Sequence, residues 1–261
     1  MLVVTLGDLL LDVIVRVDAP IAADTDTYGR THVGAGGQAA NVAAWVAALG
    51  DRARFVGKRA RDAAGRVVAE ELRSRGVELA GPEVEAGTGT VVSLATSDGK
   101  RAMLSDRGVA VELDAVEPDW LEDCDRLHVP AYSLVVSPLR EAALAAARLV
   151  ASVSVDLSST AAIEAVGVES LRETLAELEP DLAFATEEEA ALAGPLDVET
   201  LVLKRGARGC TVDGRDYAAA PARVVDGTGA GDAFAAGFIV GGPEMGLRAA
   251  ARCVAKMGAM P

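Results

Sequence analysis

The stretch Asp226-Gly227-Thr228-Gly229-Ala230-Gly231-Asp232 sets three glycines in a short loop and runs directly into the apolar segment Ala233-Phe234-Ala235-Ala236-Gly237-Phe238. A glycine-rich loop at the start of a helix leaves backbone N–H groups without intrahelical acceptors at the positive end of the helix dipole. The stretch therefore predicts a pocket for an anion, and phosphate suits such a pocket best. Asp232 falls in the first helical turn, where the dipole is expected to keep its carboxylate ionised and able to accept a proton. An acid that only caps the helix is the alternative interpretation.

A second glycine-rich stretch, Gly34-Ala35-Gly36-Gly37-Gln38-Ala39-Ala40-Asn41, precedes the apolar run 42–49. It contains the pattern G-x-G-x-x-A, but its glycines follow the segment 13–33 and not the first strand, which argues against a dinucleotide-binding fold. Small residues here would instead let a ligand approach the backbone, and Asn41 offers a donor and an acceptor to a hydroxyl-rich molecule. No G-x-x-x-x-G-K-[ST] occurs, so a nucleotide site would not be of the P-loop type.

Around these loops, short β-branched runs alternate with segments of helical period. The predicted strands are 2–6, 53–56, 126–129, 152–156, 182–185 and 201–204, and the predicted helices are 39–49, 62–75, 139–150 and 170–178. Gly50 and Gly76 stand where C-terminal helix caps belong. The alternation predicts an α/β protein with a mostly parallel sheet and helices on both of its faces.

Two stretches, 13–33 and 90–105, interrupt this alternation. The second one reads as two strands joined by the turn Ser97-Asp98-Gly99-Lys100. We expect both stretches to form a small β-layer that covers a ligand site at the carboxyl ends of the main strands. An ordinary meander at the edge of the main sheet is the alternative. The chain, 1–261, is expected to be one domain that includes this lid.

Composition excludes several classes of function. Hydrophobic residues make up 51% and charged residues 25% of the 261, which argues against disorder, and no apolar run reaches the roughly 18 residues of a membrane span. The formal net charge of −14 opposes binding to nucleic acid or to anionic membranes. Cys124, Cys210 and Cys253 form no C-x-x-C pair, so we expect reduced thiols. The first eight residues resemble a strand and not a signal peptide, which indicates a cytoplasmic protein.

The two glycine-rich stretches together resemble the two signatures of the ribokinase family of carbohydrate kinases, also called the pfkB family. The similarity runs nearly end to end, through Gly7 with Asp12, Val56-Gly57, Asp106-Arg107-Gly108, 181–189 and 204–209. The resemblance implies a three-layer α/β/α ribokinase-like fold. It also implies transfer of the γ-phosphoryl group of ATP to a hydroxyl of a small sugar or sugar derivative, beneath the lid.

The resemblance also assigns roles to residues on the acceptor side. Asp232 matches the catalytic base, and Gly229, Ala230 and Gly231 match the anion hole, a role that suits backbone donors fixed before a loose phosphoryl-transfer transition state. The positions matching substrate contacts are Asp12 and Asn41, which would bind hydroxyls, and Gly37, which would let the substrate approach the backbone. A phosphorylated substrate would need cations at its far end, and the candidates are Arg30, Lys100, Arg101 and Arg107.

On the nucleotide side, the resemblance places Lys204, Gly206 and Gly209 over the phosphates and adenine of ATP, together with Thr228. Glu189 matches the glutamate of an Asn-x-x-Glu motif that orients Mg²⁺ and its waters, but Thr186 stands in place of the asparagine. This replacement is expected to loosen the hydration shell of the metal. Asp226 and Thr228 match positions that help to hold a monovalent cation such as K⁺ in some members, although many relatives continue beyond the position of Pro261 with residues that complete that site.

Three functions remain open at this point. An ATP-dependent sugar kinase is favoured over a nucleoside kinase of the same family, because the lid segments offer only Tyr28 and His32 for stacking on a base. A catalytically weak sugar-binding relative is the third candidate, suggested by Thr186. The sequence does not separate a sugar from a sugar phosphate. Lids of this family often pair between subunits, and an exposed sheet edge favours such pairing, so we expect a homodimer.

Overall fold

The computed structural model describes residues 1–96 and 101–261. The strands within these ranges are β1 Leu2–Leu6, β2 Leu10–Val17, β3 Gly29–Gly36, β4 Arg52–Val56, β5 Arg59–Ala60, β6 Val77–Ala80, β7 Glu83–Val84, β8 Thr88–Thr96, β9 Arg101–Gly108, β10 Arg126–Pro130, β11 Val153–Asp156, β12 Leu182–Thr186, β13 Thr200–Lys204, β14 Cys210–Val212 and β15 Arg215–Tyr217. The helices are α1 Gln38–Ala48, α2 Ala63–Ser74, α3 Leu139–Ala147, α4 Thr160–Val166, α5 Val168–Leu178, α6 Glu187–Ala193 and α7 Ala230–Val254.

The main sheet has the strand order β15-β14-β13-β12-β11-β10-β1-β4-β6. Strands β13 through β6 of this order run parallel, whereas β14 and β15 add an antiparallel edge. All six predicted strands are confirmed and lie inside this sheet. The unpredicted members, β6, β14 and β15, are short strands at its edges. Edge strands of three or four residues carry too few alternations for a hydrophobic period to reveal them.

Helices cover both faces of the main sheet, as predicted. On one face, α1 packs with α7 around Trp45 and Phe55, and on the other, α3 and α5 pack around Leu127 and Leu139. These four side chains are buried, and burying a large apolar side chain contributes about 1.5–3 kcal/mol to folding. The predicted helices are confirmed to within a few residues. Gly50 and Gly76 follow α1 and α2 with φ of +102° and +83°, the left-handed conformation of a C-terminal cap.

A separate four-stranded sheet, β3-β2-β8-β9, contains the two stretches that interrupt the alternation. Strands β2 and β8 are parallel, and β3 and β9 flank them in antiparallel pairing. Within 1–96 and 101–261 these strands pair only with each other, so the alternative of a meander on the main sheet is wrong. The predicted turn at 97–100 lies outside the described residues. Because β1 leads through three residues into β2, this second sheet, called the lid sheet below, begins at the carboxyl end of β1.

Helix α7 begins at the glycine-rich loop, where the sequence predicted a helix start. It is broken at Gly241 and Gly242, where the φ/ψ angles are non-helical and Pro243 follows. In the parts of the chain that the structure describes, we find no helix with both the length and the apolar character needed to cross a membrane.

Candidate active site

The glycine-rich loop enters α7 through a left-handed residue. Gly229 has φ +74°, and a Cβ at this position would collide with Ala259, so the position requires glycine. The N–H of Ala230 points to the carbonyl oxygen of Gly227 at 3.4 Å, at the long limit of a hydrogen bond. The N–H groups of Gly231 and Asp232 lie in the first turn, where helix geometry supplies no intrahelical acceptor. These N–H groups therefore form the donor end that an anion hole needs.

Asp232 is held by Asn41 from the other glycine-rich stretch. The Nδ2 group of Asn41 donates to Oδ2 of Asp232 at 2.7 Å, and both side chains are buried. The buried Oδ1 of Asn41 has no hydrogen-bond partner among the described residues. A buried acceptor without a donor is costly, so this oxygen is suited to receive a hydroxyl from a ligand. The two stretches singled out by the sequence thus meet at one pair of side chains.

The ionisation expected for Asp232 is wrong. Burial raises the pKa of Asp232 to about 7; the hydrogen bond from Asn41 and the charge of Lys204 act downward, whereas the carboxylates of Asp156 and Asp12 act upward. The sequence argument counted the helix dipole but could not count the loss of water around the carboxyl group. A pKa near neutrality is nevertheless the range in which a general base works best.

Lys204 and Asp156 form a buried ion pair beside the loop. The Nζ atom of Lys204 lies 2.7 Å from both carboxylate oxygens of Asp156, and it lies 3.6 Å from where a Cβ on Gly231 would be. Burial acts to lower the pKa of Lys204, but the carboxylates of Asp156, Glu189 and Asp232 raise it above its ordinary value, so the side chain stays a cation. Lys204 therefore brings positive charge to the N-terminus of α7.

Sequence reasoning missed Asp156. The feature that could have indicated Asp156 is its position as the last residue of β11. Lys204 is likewise the last residue of β13, which lies two strands away in the sheet. Polar residues at the carboxyl ends of parallel strands share one edge of the sheet, and that edge is where ligands bind in open α/β proteins.

Thr186 and Glu189 cap helix α6. The Oγ1 atom of Thr186 accepts from the N–H of Glu189 at 3.2 Å, and Oε2 of Glu189 accepts from the N–H of Thr186 at 2.8 Å. No group of three or more His, Cys, Asp and Glu side chains in the described part of the chain could hold a metal. One acidic side chain without a protein cage fits Mg²⁺, which keeps its waters and binds largely through substrate phosphates. Glu189 would be the residue that orients those waters.

A cavity of about 510 Å³ opens beside this pair. Its lining includes Tyr132, Ser158, Thr186, Glu189, Lys204 and Gly206. Gly206 faces open space, with φ +57°, so its backbone is accessible to a ligand. Gly209, also predicted to contact the nucleotide, does not line the cavity; a Cβ there would collide with the carbonyl oxygen of Tyr217, which gives this glycine a packing role.

The predicted substrate contacts gather where the lid sheet meets α1. The carboxyl group of Asp12 lies against Gly36, and Asp12 lines a smaller cavity, of about 150 Å³, together with His32 and Gly258. Gly37 has φ +95°, and a Cβ at this position would collide with the carbonyl oxygen of Asp8. The close approach that Gly37 permits in this structure is therefore made by the protein's own backbone.

Asp226 and Thr228 are engaged with each other. Oδ1 of Asp226 accepts from the N–H and Oγ1 of Thr228 at 3.1 and 2.7 Å, while Oδ2 accepts from the N–H of Gly258 at 3.1 Å. The guanidinium of Arg16 stands 3.9 Å from the same carboxylate. With these donors and a cation beside it, the carboxylate of Asp226 does not fit a K⁺ site, and neither side chain lines the larger cavity.

The segment Gly258–Pro261 supports the site from behind, which the sequence did not indicate. Trp45 Nε1 donates to the carbonyl oxygen of Ala259 at 2.8 Å, and Arg75 donates to that of Pro261 at 2.5 Å. Because Ala259 also packs against Gly229, α1 and the glycine-rich loop at 226–232 share this support.

Comparison with known proteins agrees with this geometry. The family described as pfkB family carbohydrate kinase matches residues 1–260. A probable fructokinase-4 of Arabidopsis thaliana is 28% identical over 89% of this chain and 79% of its own length. An ATP-dependent ribose-1-phosphate kinase of Halopiger xanaduensis is 32% identical over 91% and 83%. The crystal structure of adenosine kinase from Sinorhizobium meliloti matches with a TM-score of 0.85 and 25% identity, over 99% of this chain and 95% of the other. These matches confirm the predicted three-layer ribokinase-like fold.

Proposed function

Because the chain belongs to the pfkB family of carbohydrate kinases, we propose that it transfers the γ-phosphoryl group of ATP to a hydroxyl of a small sugar. As a member of that family it is a phosphotransferase with an alcohol group as acceptor. The observation that carries the proposal is the buried Asp232, held by Asn41 at the N-terminus of α7 next to the ammonium group of Lys204. The carboxyl group of Asp232, the N–H groups in the first turn of α7 and the ammonium group of Lys204 therefore lie together at one edge of the main sheet.

The arrangement supports a direct transfer. Asp232, once ionised, accepts the proton of the sugar hydroxyl as that oxygen bonds to the γ-phosphorus of ATP, while the bond from this phosphorus to the bridging oxygen breaks and ADP leaves. The N–H groups at the start of α7 and the charge of Lys204 stabilise the negative charge on the transferring group. Mg²⁺, bound with ATP near Glu189, would supply further positive charge to the phosphates. Asp12 and Oδ1 of Asn41 orient the sugar hydroxyls, and the lid sheet excludes water during transfer.

A screen of acceptors tests this proposal. Consumption of ATP would be measured with Mg²⁺ present across sugars, sugar acids, sugar phosphates and nucleosides. We expect saturable consumption with at least one sugar and formation of the phosphorylated product. Turnover of nucleosides alone would favour the second candidate, a nucleoside kinase. A rate that does not exceed that of the Asp232→Asn variant with any acceptor would refute the assignment as a kinase.

A nucleoside kinase is the second candidate, because the adenosine kinase from Sinorhizobium meliloti shares the fold and 25% identity with this chain. Nucleobases are usually held by stacking on aromatic rings. Tyr28 is 91% exposed and lines neither of the two cavities described above, so of these two rings only His32, beside Gly258 in the smaller cavity, lies near the acceptor side. The acceptor side therefore favours a sugar. A catalytically weak sugar-binding relative would bind sugars in the same screen without consuming ATP.

Replacing Thr186 with asparagine is expected to lower the Mg²⁺ concentration for half-maximal rate several-fold. Asparagine caps a helix as well as threonine does, through its Oδ1 atom, and its Nδ2 group remains able to donate to a metal-bound water or a phosphate. One water-mediated contact is worth about 1 kcal/mol, which is a factor of about five. The measurement is a Mg²⁺ titration of initial rate at saturating ATP and acceptor.

Thr186→Ser is the matched control, because it keeps the capping hydroxyl without adding an amide, and its titration should overlap that of the parent. Glu189→Gln should shift the curve in the opposite direction. If the curves for Thr186→Asn and the parent coincide, then threonine already serves the metal site and the replacement is neutral.

The lid sheet is expected to pair two copies of the chain. Val33, Val13, Val92 and Leu104 are cross-strand neighbours that form an apolar row across all four strands. Val33 and Leu104 are 54% and 62% exposed. A contiguous apolar surface of this kind is a mark of an interface. Light scattering at micromolar concentration should give the mass of a homodimer, and a strictly monomeric mass would contradict the expectation.

The double substitution Val33→Glu, Leu104→Glu should convert the homodimer to monomer, because it places like charges in a buried interface. Leu149→Glu is the control, since Leu149 is comparably exposed just after α3, a helix that packs against α5 on the main sheet. A double variant that keeps the parent mass would assign the interface to another surface.

A further inference from the structure

Asp8 and Arg107 form a bidentate ion pair at the base of the lid sheet. Nε of Arg107 donates to Oδ2 of Asp8 at 2.7 Å, and Nη2 donates to Oδ1 at 2.6 Å. The side chain of Arg107 is only 16% exposed, and that of Asp8 is 9% exposed. Parallel charge-assisted hydrogen bonds of this kind fix both partners in position and are among the stronger polar contacts in proteins. The pair connects the loop after β1 to strand β9.

This pair borders the proposed acceptor site. The carbonyl oxygen of Asp8 occupies the space that a Cβ on Gly37 would need, and Gly37 immediately precedes the helix that carries Asn41. On the other side, the guanidinium of Arg107 lies 5.9 Å from the centre of the ring of Tyr132, and Tyr132 lines the cavity that contains Lys204. Arg107 is therefore placed where the far end of an acceptor could meet it. It is also one of the four substrate-side cations that the sequence offered as candidates.

We propose that Asp8 makes this enzyme selective for uncharged sugars over sugar phosphates by occupying Arg107; the inference rests on the proposed function as a sugar kinase. A guanidinium recognises carboxylate and phosphate with the same planar fork of N–H groups. Here Nε and Nη2 donate to Asp8, whose carboxylate also offsets the positive charge of the guanidinium. A phosphorylated acceptor would have to displace this buried carboxylate or bind the remaining N–H groups of Arg107 beside it, and in both cases its own negative charge would be repelled by Asp8. An uncharged sugar requires no displacement.

The experiment compares each sugar with its phosphate ester. Values of kcat/KM with ATP and Mg²⁺ would be measured for D-fructose against fructose 6-phosphate and for D-ribose against ribose 1-phosphate. Dissociation constants for the same four compounds, measured by calorimetry without ATP, give a readout that does not depend on turnover. The parent is expected to favour the better uncharged sugar over its ester at least tenfold. A preference of the parent for either ester, or binding of neither sugar, overturns the proposal.

Asp8→Asn then isolates the cause. It keeps the shape of the side chain and removes its charge, so it should move the sugar-to-ester ratio at least tenfold towards the ester. Arg107→Met added to Asp8→Asn should abolish that gain. Asp24→Asn removes one negative charge from an exposed position away from Arg107 and should leave the ratio unchanged. If the ion pair only connects the lid sheet to the main sheet, Asp8→Asn will weaken the binding of the sugar and of its ester equally. A sugar-to-ester ratio within threefold of the parent value refutes the inference.

Two further arrangements keep the result decisive. Asp8→Ser replaces Asp8→Asn if the latter does not fold, with the same expected direction, and the parent ratio requires no variant at all. Should the parent phosphorylate none of the four compounds, the proposed function is wrong for them, while the calorimetric ratio still decides whether Asp8 sets selectivity in binding.

Discussion

Replacing Asp232 with asparagine is expected to lower kcat at least about 100-fold, because the variant keeps the shape of the side chain and loses the proton acceptor. The affinity for ATP should change little, since the backbone donors of the loop and Lys204 remain. Steady-state kinetics with the best acceptor from the screen measures both quantities. Asp125→Asn is the matched control: Asp125 accepts from the N–H of Leu2 at 2.6 Å, at the amino end of β1, and its loss should not affect turnover. A kcat for Asp232→Asn within threefold of the parent would exclude the assigned role.

The pH dependence follows from the same residue. Since the pKa of Asp232 is raised to about 7, the carboxyl group is protonated below that pH and cannot accept the hydroxyl proton. For the parent, kcat/KM for the acceptor should fall about tenfold per pH unit below 7 and level off above it. A rate that stays level from pH 8 to pH 5 would contradict this.

The stability of the fold should change with pH in the direction opposite to that of the activity. The pKa of Asp232 is higher in the folded protein than its ordinary value of 3.8, so the protonated group favours folding and this contribution is lost as the pH rises through about 7. At pH 8, Asp232→Asn should therefore raise the free energy of unfolding by a few kcal/mol. Below about pH 4 the parent and the variant should differ little. Urea unfolding at both pH values measures the difference.

Replacing Lys204 with methionine is expected to lower kcat/KM for ATP by about 100- to 1000-fold, the effect of removing one preorganised group that stabilises charge on the transferring phosphoryl group. The variant also leaves Asp156 buried without its cation, which costs about 3–5 kcal/mol of stability. Activity and thermal unfolding must therefore be measured together. Lys58→Met is the control, because Lys58 bonds to the carbonyl oxygen of Glu112, outside the site.

A double variant separates stability from catalysis. Adding Asp156→Asn to Lys204→Met removes the uncompensated charge, so it should restore most of the melting temperature while the activity stays low. Recovery of activity together with stability would mean that Lys204 only supports the fold. In that case the loop at 229–231 would act without a neighbouring cation.

The parallel strands were predictable because each is a short β-branched run bounded by helical segments, so the local pattern and the burial of the sheet agree. The antiparallel edge, β14 and β15, has three residues per strand and gives no such signal. In the candidate site, the glycine-rich sequence at 226–232 was sufficient to predict both the turn and the start of α7. The contact between Asp232 and Asn41 could not be predicted from spacing, since it depends on how α1 packs against α7.

Two features of the site show what the sequence reasoning left out. The ionisation of Asp232 was expected from the helix dipole alone, whereas burial is the largest influence on its pKa. Thr186 was interpreted only as a departure from an asparagine motif. The pattern Thr-x-x-Glu at 186–189 is also the sequence signature of a capping box, and the structure shows that box. The local signal was present in the sequence and would have identified the helix that positions Glu189.

The hydrogen bond between Asn41 and Asp232 joins residues 191 positions apart, and Arg16 reaches Val225 across 209 positions. Contacts of such high sequence separation close late during folding, because the entropy of closing a long loop is lost before the contact stabilises the chain. A refolding intermediate that has formed its helices would therefore still lack the contact between Asn41 and Asp232. Recovery of enzymatic activity should lag behind recovery of helical circular dichroism, and the delay reports the docking of α7 onto α1.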